Sequence, residues 1–167
     1  MNIFYLHPDP LKAAEMHCDK HCVKMILETA QMLCTAHRVL DGDDEADKYG
    51  MYKTAHLNHP STQWVRGSML QYEWTYHLFK FLCEEYHYRY KKVHMTDKKM
   101  RGLLRKPPYF MSERPTYTQP PQCMPDEYKV PGDAVKAYRN YYKGEKAQFA
   151  KWAYSKTPEW WTNEVIH

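Results

Sequence analysis

Between Thr62 and Lys92 the chain has no proline and a single glycine, Gly67. Across it Val65, Met69, Tyr72, Tyr76, Phe79, Leu82 and Cys83 recur at three- and four-residue steps, the spacing of one long amphipathic helix. A chain built on such a segment must bury its apolar stripe against other helices. A partner of similar length is readable from Leu11 to about Leu40, through Ala14, Val23, Ile26, Leu27, Ala30 and Leu33. It opens at Asp9-Pro10, a capping residue followed by proline at the first helical position, and ends near Gly42. A last helix is capped by Asp133 and runs through Ala137, Tyr138, Tyr141, Phe149 and Trp152.

The remaining segments fit around these three. Residues 2–6, NIFYL, read as a short extended lead-in, and Tyr49 to Leu57 as a short helix. Lys106 to Pro131 is proline-rich but also rich in Tyr, Phe and Met, which marks an ordered wrapping segment more than a linker. The tail, TPEWWTNEV, should pack through Trp160 and Trp161. The expected fold is all-α: a single compact helical domain over 1–167, with three principal helices and a proline-rich wrapping segment.

No run approaches the ~20 apolar residues that span a bilayer. The first residues lack the basic start and apolar run of a secretory leader. Five cysteines, an odd number, suit reduced thiols, so a cytoplasmic protein is expected, in the host cytoplasm if it is phage-encoded. Net charge is +4 and uneven. Residues 41–47, DGDDEAD, are acidic, whereas residues 89–106 hold eight Lys or Arg against one Asp. Lys91, Lys92, Lys98, Lys99 and Arg101 in this stretch suit a phosphate backbone, although a solvated helix end has a similar composition. Fifteen tyrosines and five tryptophans suit half-buried surfaces, and also stacking on bases.

The first helix carries an unusual polar stripe. At about 100° per residue, His17, Lys20, His21, Lys24, Glu28 and Gln31 fall within an arc of roughly 100°. Two imidazoles, an amine and a carboxylate in one column shift one another's proton affinities and form a candidate acid–base apparatus. An ordinary solvent face is the plain alternative. His17 and His21 also have the one-turn spacing of zinc-binding helices. Their neighbours Cys18 and Cys22 cannot wrap the same ion, so His59 or His94 would have to contribute, and the expectation is no metal and no cofactor. Farther on, His59 and Ser61 stand at a helix start, where backbone N–H groups attract anions, and Trp64 and Arg66 follow on the first turns. No nucleophile elbow, phosphate loop or dinucleotide fingerprint is present.

These blocks, in their order, resemble the pyrimidine dimer DNA glycosylases of phages, small all-α enzymes. AAEMHCDKHCVKM at 13–25 is similar to that family's first catalytic helix, and HPSTQWVRGSMLQYEWTYHLFKFLCEEYHYR at 59–89 to its His-led long helix. MPDEYKVPGDA at 124–134 and PEWW at 158–161 are similar to its Pro-acid-aromatic-basic segment and aromatic tail. The chain is more closely similar to a wider group of uncharacterised phage and bacterial proteins through DKHCVKMILETAQML, HPSTQWVRGS and MPDEYK…YRNYYKGEK, which implies no activity. The glycosylase resemblance implies an amine nucleophile on a small N-terminal residue, exposed by removal of methionine, and a glutamate on the first helix. Here position 2 is Asn, so Met1 is expected to stay, and Lys24 aligns with the family's glutamate, with Glu28 one turn later. Lys24 would then serve as the amine in place of the N-terminus, through a Schiff base with the sugar carbon.

The leading expectation is a base-excision glycosylase or lyase acting on damaged or modified bases in double-stranded DNA. Glu28 and Lys24 would act at the sugar, His17 and His21 would move protons, and Trp64 or Trp74 would stack on a base. Alternatives are a non-enzymatic phage protein that binds nucleic acid or a host protein, and a nucleotide-directed or metal-dependent hydrolase. Oligomeric state is open.

Overall fold

A computed structural model describes residues 1–161. Two long helices organise it, α2 (Asp19–Asp41) and α5 (Met69–Tyr90), packed against each other. Five shorter ones surround them: α1 (Pro10–Met16), α3 (Asp43–Lys48), α4 (Pro60–Val65), α6 (Met95–Leu104) and α7 (Ala134–Glu145). A single 3-10 turn, Asp126–Tyr128, precedes α7, and no strand occurs among the described residues. Met25, Ile26 and Leu33 of α2 meet Tyr72, Phe79 and Leu82 of α5 in one continuous core. The all-α expectation therefore holds. No helix among the described residues is long and apolar enough to cross a membrane.

The two longest expected helices are each interrupted. The first breaks at His17 and Cys18, both in extended conformation, into α1 and α2. No glycine or proline marks the place. What stabilises the break comes from far away in sequence. The buried guanidinium of Arg89, near the end of α5, donates through Nη1 to the His17 carbonyl (2.8 Å) and through Nη2 to the Glu15 carbonyl (3.0 Å). Arg89 also pairs with Asp19 Oδ1 (3.1 Å) and Glu85 Oε1 (2.9 Å). It thus satisfies carbonyls that the end of α1 leaves unbonded. The second helix breaks at Arg66–Ser68. There Ser68 accepts from the Gln71 N–H to cap α5 and donates to the Thr116 carbonyl.

The helix expected over 49–57 forms earlier instead, as α3, whose first turn holds Asp43, Asp44 and Glu45 against the positive end of the helix dipole. Residues 51 and 52 are kept out of a helix because Arg38 takes the carbonyls of both Met51 and Tyr52. The last helix stops at Glu145, so Phe149 and Trp152 pack from beyond its end. The proline-rich segment wraps as expected, held mostly by side chains of the helices. Trp64 Nε1 donates to the Thr118 carbonyl, Gln71 Oε1 accepts from the Thr118 N–H, and the Tyr138 hydroxyl donates to the Pro121 carbonyl. Trp152 and Trp160 pin the tail to Met16, while Thr162 to Val165 of the expected tail lie outside the described residues.

Residues 3–6, expected as a short extended lead-in, form no helix but belong to the core. Ile3, Phe4, Tyr5 and Leu6 are all buried. Full burial of side chains of this kind stabilises by roughly 1.5–3 kcal/mol each, so this stretch is anchored as firmly as a core helix.

Arg89→Met removes one partner from a buried network and leaves Asp19 and Glu85 uncompensated. Urea denaturation should show a loss of about 3–5 kcal/mol. Arg89→Lys should recover little of it, because an ammonium cannot replace the fork. A loss below about 1 kcal/mol would show that the junction stands without the arginine.

Candidate active site

The stripe read from the first helix does not survive the break in that helix. His17 lies outside α2 and is fully buried, its Nδ1 hydrogen-bonded to the Ala13 carbonyl at 2.6 Å and its Nε2 without a partner. His21 is also buried, with Nδ1 bonded to the Tyr142 hydroxyl at 2.7 Å and the ring stacked on Phe4 at 4.3 Å. Burial lowers the proton affinity of both: His17 is pushed down to about 4 and His21 to about 2, the latter also by His17 and the nearby Lys146, Lys24 and Lys20. Both imidazoles are thus neutral core groups, and the four expected catalytic groups do not converge on one open face.

Glu28 has a different neighbour from the one expected. Phe4 against His21 sets the register of the first residues along α2. Three extended residues from Phe4 back to Met1 span about 10 Å. The seven helical residues from His21 to Glu28 rise about the same distance. Met1 therefore arrives beside Glu28, its amine 3.5 Å from Oε1. The Met1 side chain is only 1% exposed, yet the residue as a whole is half-buried, so its accessible part is the main chain that carries the amine. Lys24, 61% exposed, sits one turn away, with Nζ 3.7 Å from Oε2. That is beyond hydrogen-bond range, and Oε2 is a buried oxygen with no hydrogen-bond partner.

The start of α4 forms the facing wall. His59 caps α4, its Nδ1 accepting from the Ser61 N–H at 3.1 Å. Its proton affinity is lowered by burial and then by the charge of the Met1 amine, which puts the imidazole close to that amine. Thr62 Oγ1 donates to the Met1 sulfur at 3.4 Å. Asn2 Nδ2 donates to the Cys123 carbonyl at 3.1 Å, which ties the N-terminal segment to the wrapping segment. An amine and a carboxylate in contact at a surface, with a spare carboxylate oxygen, can do nucleophilic and acid–base chemistry on one carbon.

A family model described as pyrimidine dimer DNA glycosylase matches residues 1–99. The chain belongs to that family. No curated protein and no solved structure matches it. In this family member the matched residues include Met1, Lys24, Glu28 and His59, whereas the proline-rich segment and α7 lie beyond them.

The other expected contacts divide. Lys20 is exposed, its Nζ 4.5 Å from the centre of the Phe149 ring, and Gln31 is half-buried on α2. Lys146, absent from the sequence expectation, reaches the same region: its ammonium lies over the Tyr141 ring at 4.5 Å and acts on His21 together with Lys20 and Lys24. Ser61 is fully buried against Cys123, and Trp64 is buried with its N–H committed to Thr118. Trp74 is likewise buried and committed, to the Pro8 carbonyl. Neither indole presents a free face. Arg66 donates to the Leu57 carbonyl, and Arg101 is paired with Asp97 and Glu84. Lys91, Lys92, Lys98 and Lys99 are exposed on and before α6, as a phosphate surface would need. Among the described residues no group of three or more His, Cys, Asp or Glu side chains could hold a metal ion.

His17 makes stability depend on pH with a defined sign. Its proton affinity is lower folded than unfolded, so its contribution is fully present above the unfolded value near 6.5 and is lost as pH falls toward about 4. That loss amounts to about 3 kcal/mol. Urea melts across this window should become shallower in pH dependence for His17→Leu. An unchanged dependence would contradict a neutral buried imidazole.

Proposed function

We propose that the protein is a DNA glycosylase with lyase activity on duplexes carrying pyrimidine dimers, with the Met1 amine as nucleophile and Glu28 as its acid–base partner. The observation that carries this reading is the 3.5 Å contact between that amine and a carboxylate whose second oxygen is unbonded. The contact lies within the part of the chain that the family model covers.

In the proposed reaction the free amine attacks C1′ of the damaged nucleotide. The N–C1′ bond forms as the bond from C1′ to the base breaks. The bond's electron pair leaves with the base, which takes up a proton from water, and the nitrogen gives up its proton to the Glu28 carboxylate. Protonation of the ring oxygen by Glu28 then opens the sugar, leaving a protonated imine between Met1 and C1′. Glu28, once more a carboxylate, can accept the 2′ proton, and departure of the 3′ phosphate cleaves the strand. The carboxylate also stabilises each positive charge that develops at C1′ and at the nitrogen.

The roles expected of the neighbours change accordingly. Lys24 then belongs with Lys20 and Lys146 in a cationic border on one side of the site, suited to DNA phosphates. Lys91, Lys92, Lys98 and Lys99 extend phosphate contacts along the duplex. His59 lines the amine site as a neutral group.

Glu28→Gln keeps size and shape and removes the charge. On a duplex with one pyrimidine dimer, single-turnover cleavage should fall at least about 100-fold while duplex affinity stays within about threefold. Cleavage at the wild-type rate would sink this assignment.

A further inference from the structure

We infer that the methionine side chain at position 1 is a built-in anchor for the reacting amine, so that this member of the family works with its methionine in place. The inference rests on the proposed amine chemistry and goes beyond it, because it concerns which residue must carry the amine and what holds it there.

Three observations support it. The Met1 side chain is 1% exposed and packs against the core, with its sulfur accepting from Thr62 Oγ1. A side chain seated this way fixes the Cα, and with it the direction of the attached nitrogen. Second, Asn2 is tied down through Nδ2 to the Cys123 carbonyl, and its Oδ1 is buried without a hydrogen-bond partner. Residue 2 is thus part of the packed N-terminal segment and not a free end. Third, the N-terminal segment cannot slide to compensate for a lost residue. Ile3 to Leu6 are buried, and Phe4 is stacked on His21 at 4.3 Å. Were Met1 removed, the new amine would sit one residue back, roughly 3.5 Å from the present one, and an unfilled space would remain beside Thr62.

Asparagine at position 2 fits this design. Methionine is removed from protein N-termini when the second residue is small, and Asn is not. A small residue at position 2, by allowing removal of Met1, is therefore predicted to inactivate this protein.

Asn2→Ala supplies the test, because one polypeptide can be prepared in two forms: processed, so that it begins at the introduced alanine, and with Met1 kept by inhibiting methionine aminopeptidase during expression. Intact mass identifies each form. Both are melted, assayed for duplex affinity, and incubated with a dimer-containing duplex and borohydride. The Met1 form should give a trapped adduct at a rate within about tenfold of wild type. The processed form should trap at least about 100-fold more slowly with unchanged duplex affinity, and should melt roughly 5 °C lower from the emptied site. An adduct on the N-terminal alanine of the processed form, formed at the rate of the Met1 form, overturns the anchor. So do equal melting temperatures of the two forms. If wild type yields no adduct but the processed form still melts lower, the glycosylase reading fails while Met1 stands as an anchored residue.

Discussion

The pairing of residues 1–6 with α2 is the constraint on which the site depends. Four consecutive buried side chains, Ile3 to Leu6, hold an irregular segment in the core, and the Phe4–His21 stack fixes its register. Register fixes the end: a segment in contact with His21 at its fourth residue reaches Glu28 with its first. His21 is thereby explained as a structural group. It is the flat partner for Phe4 on one side and the hydrogen-bond partner of Tyr142 on another, and α7 is locked to α2 through it.

The same arrangement divides the charges of α2 into two kinds. Lys20 and Lys24 project to solvent and, with Lys146, form a cationic margin. Glu28 is 14% exposed and sits between that margin and the amine, so its charge is poorly screened by water and acts mainly on the two cations beside it. Its Oε2 has the Lys24 ammonium 3.7 Å away but no hydrogen-bond partner, which leaves it available to a ligand.

Much of the helical framework is legible in the sequence. Asp9-Pro10 and Asp133 cap helices, most of the segment 62–92 is helical although broken at Arg66–Ser68, and the proline-rich segment is ordered. What is not legible depends on contacts between distant residues. The break at His17–Cys18 carries no local signal because Arg89, more than seventy residues on, stabilises it. Once the break is present, a helical wheel that includes His17 has no meaning, and two imidazoles that look like a catalytic column become core. Glu28 is visible as a candidate, but its partner is not, since only the packing of residues 1–4 along α2 brings the amine there. The buried side chain of Met1 is likewise invisible to any periodicity. Trp64 and Trp74 differ from expectation for a related reason: an aromatic side chain on an amphipathic helix looks the same whether its N–H is free or taken by a loop carbonyl.

Which nitrogen reacts decides between this mechanism and its rivals. Wild-type protein can be trapped with borohydride on a dimer-containing duplex, digested, and the sugar-bearing peptide sequenced by mass spectrometry. The modification should lie on the α-nitrogen of residue 1. An adduct on the side chain of Lys24 or Lys20, or none under conditions where the strand is cut, would contradict it.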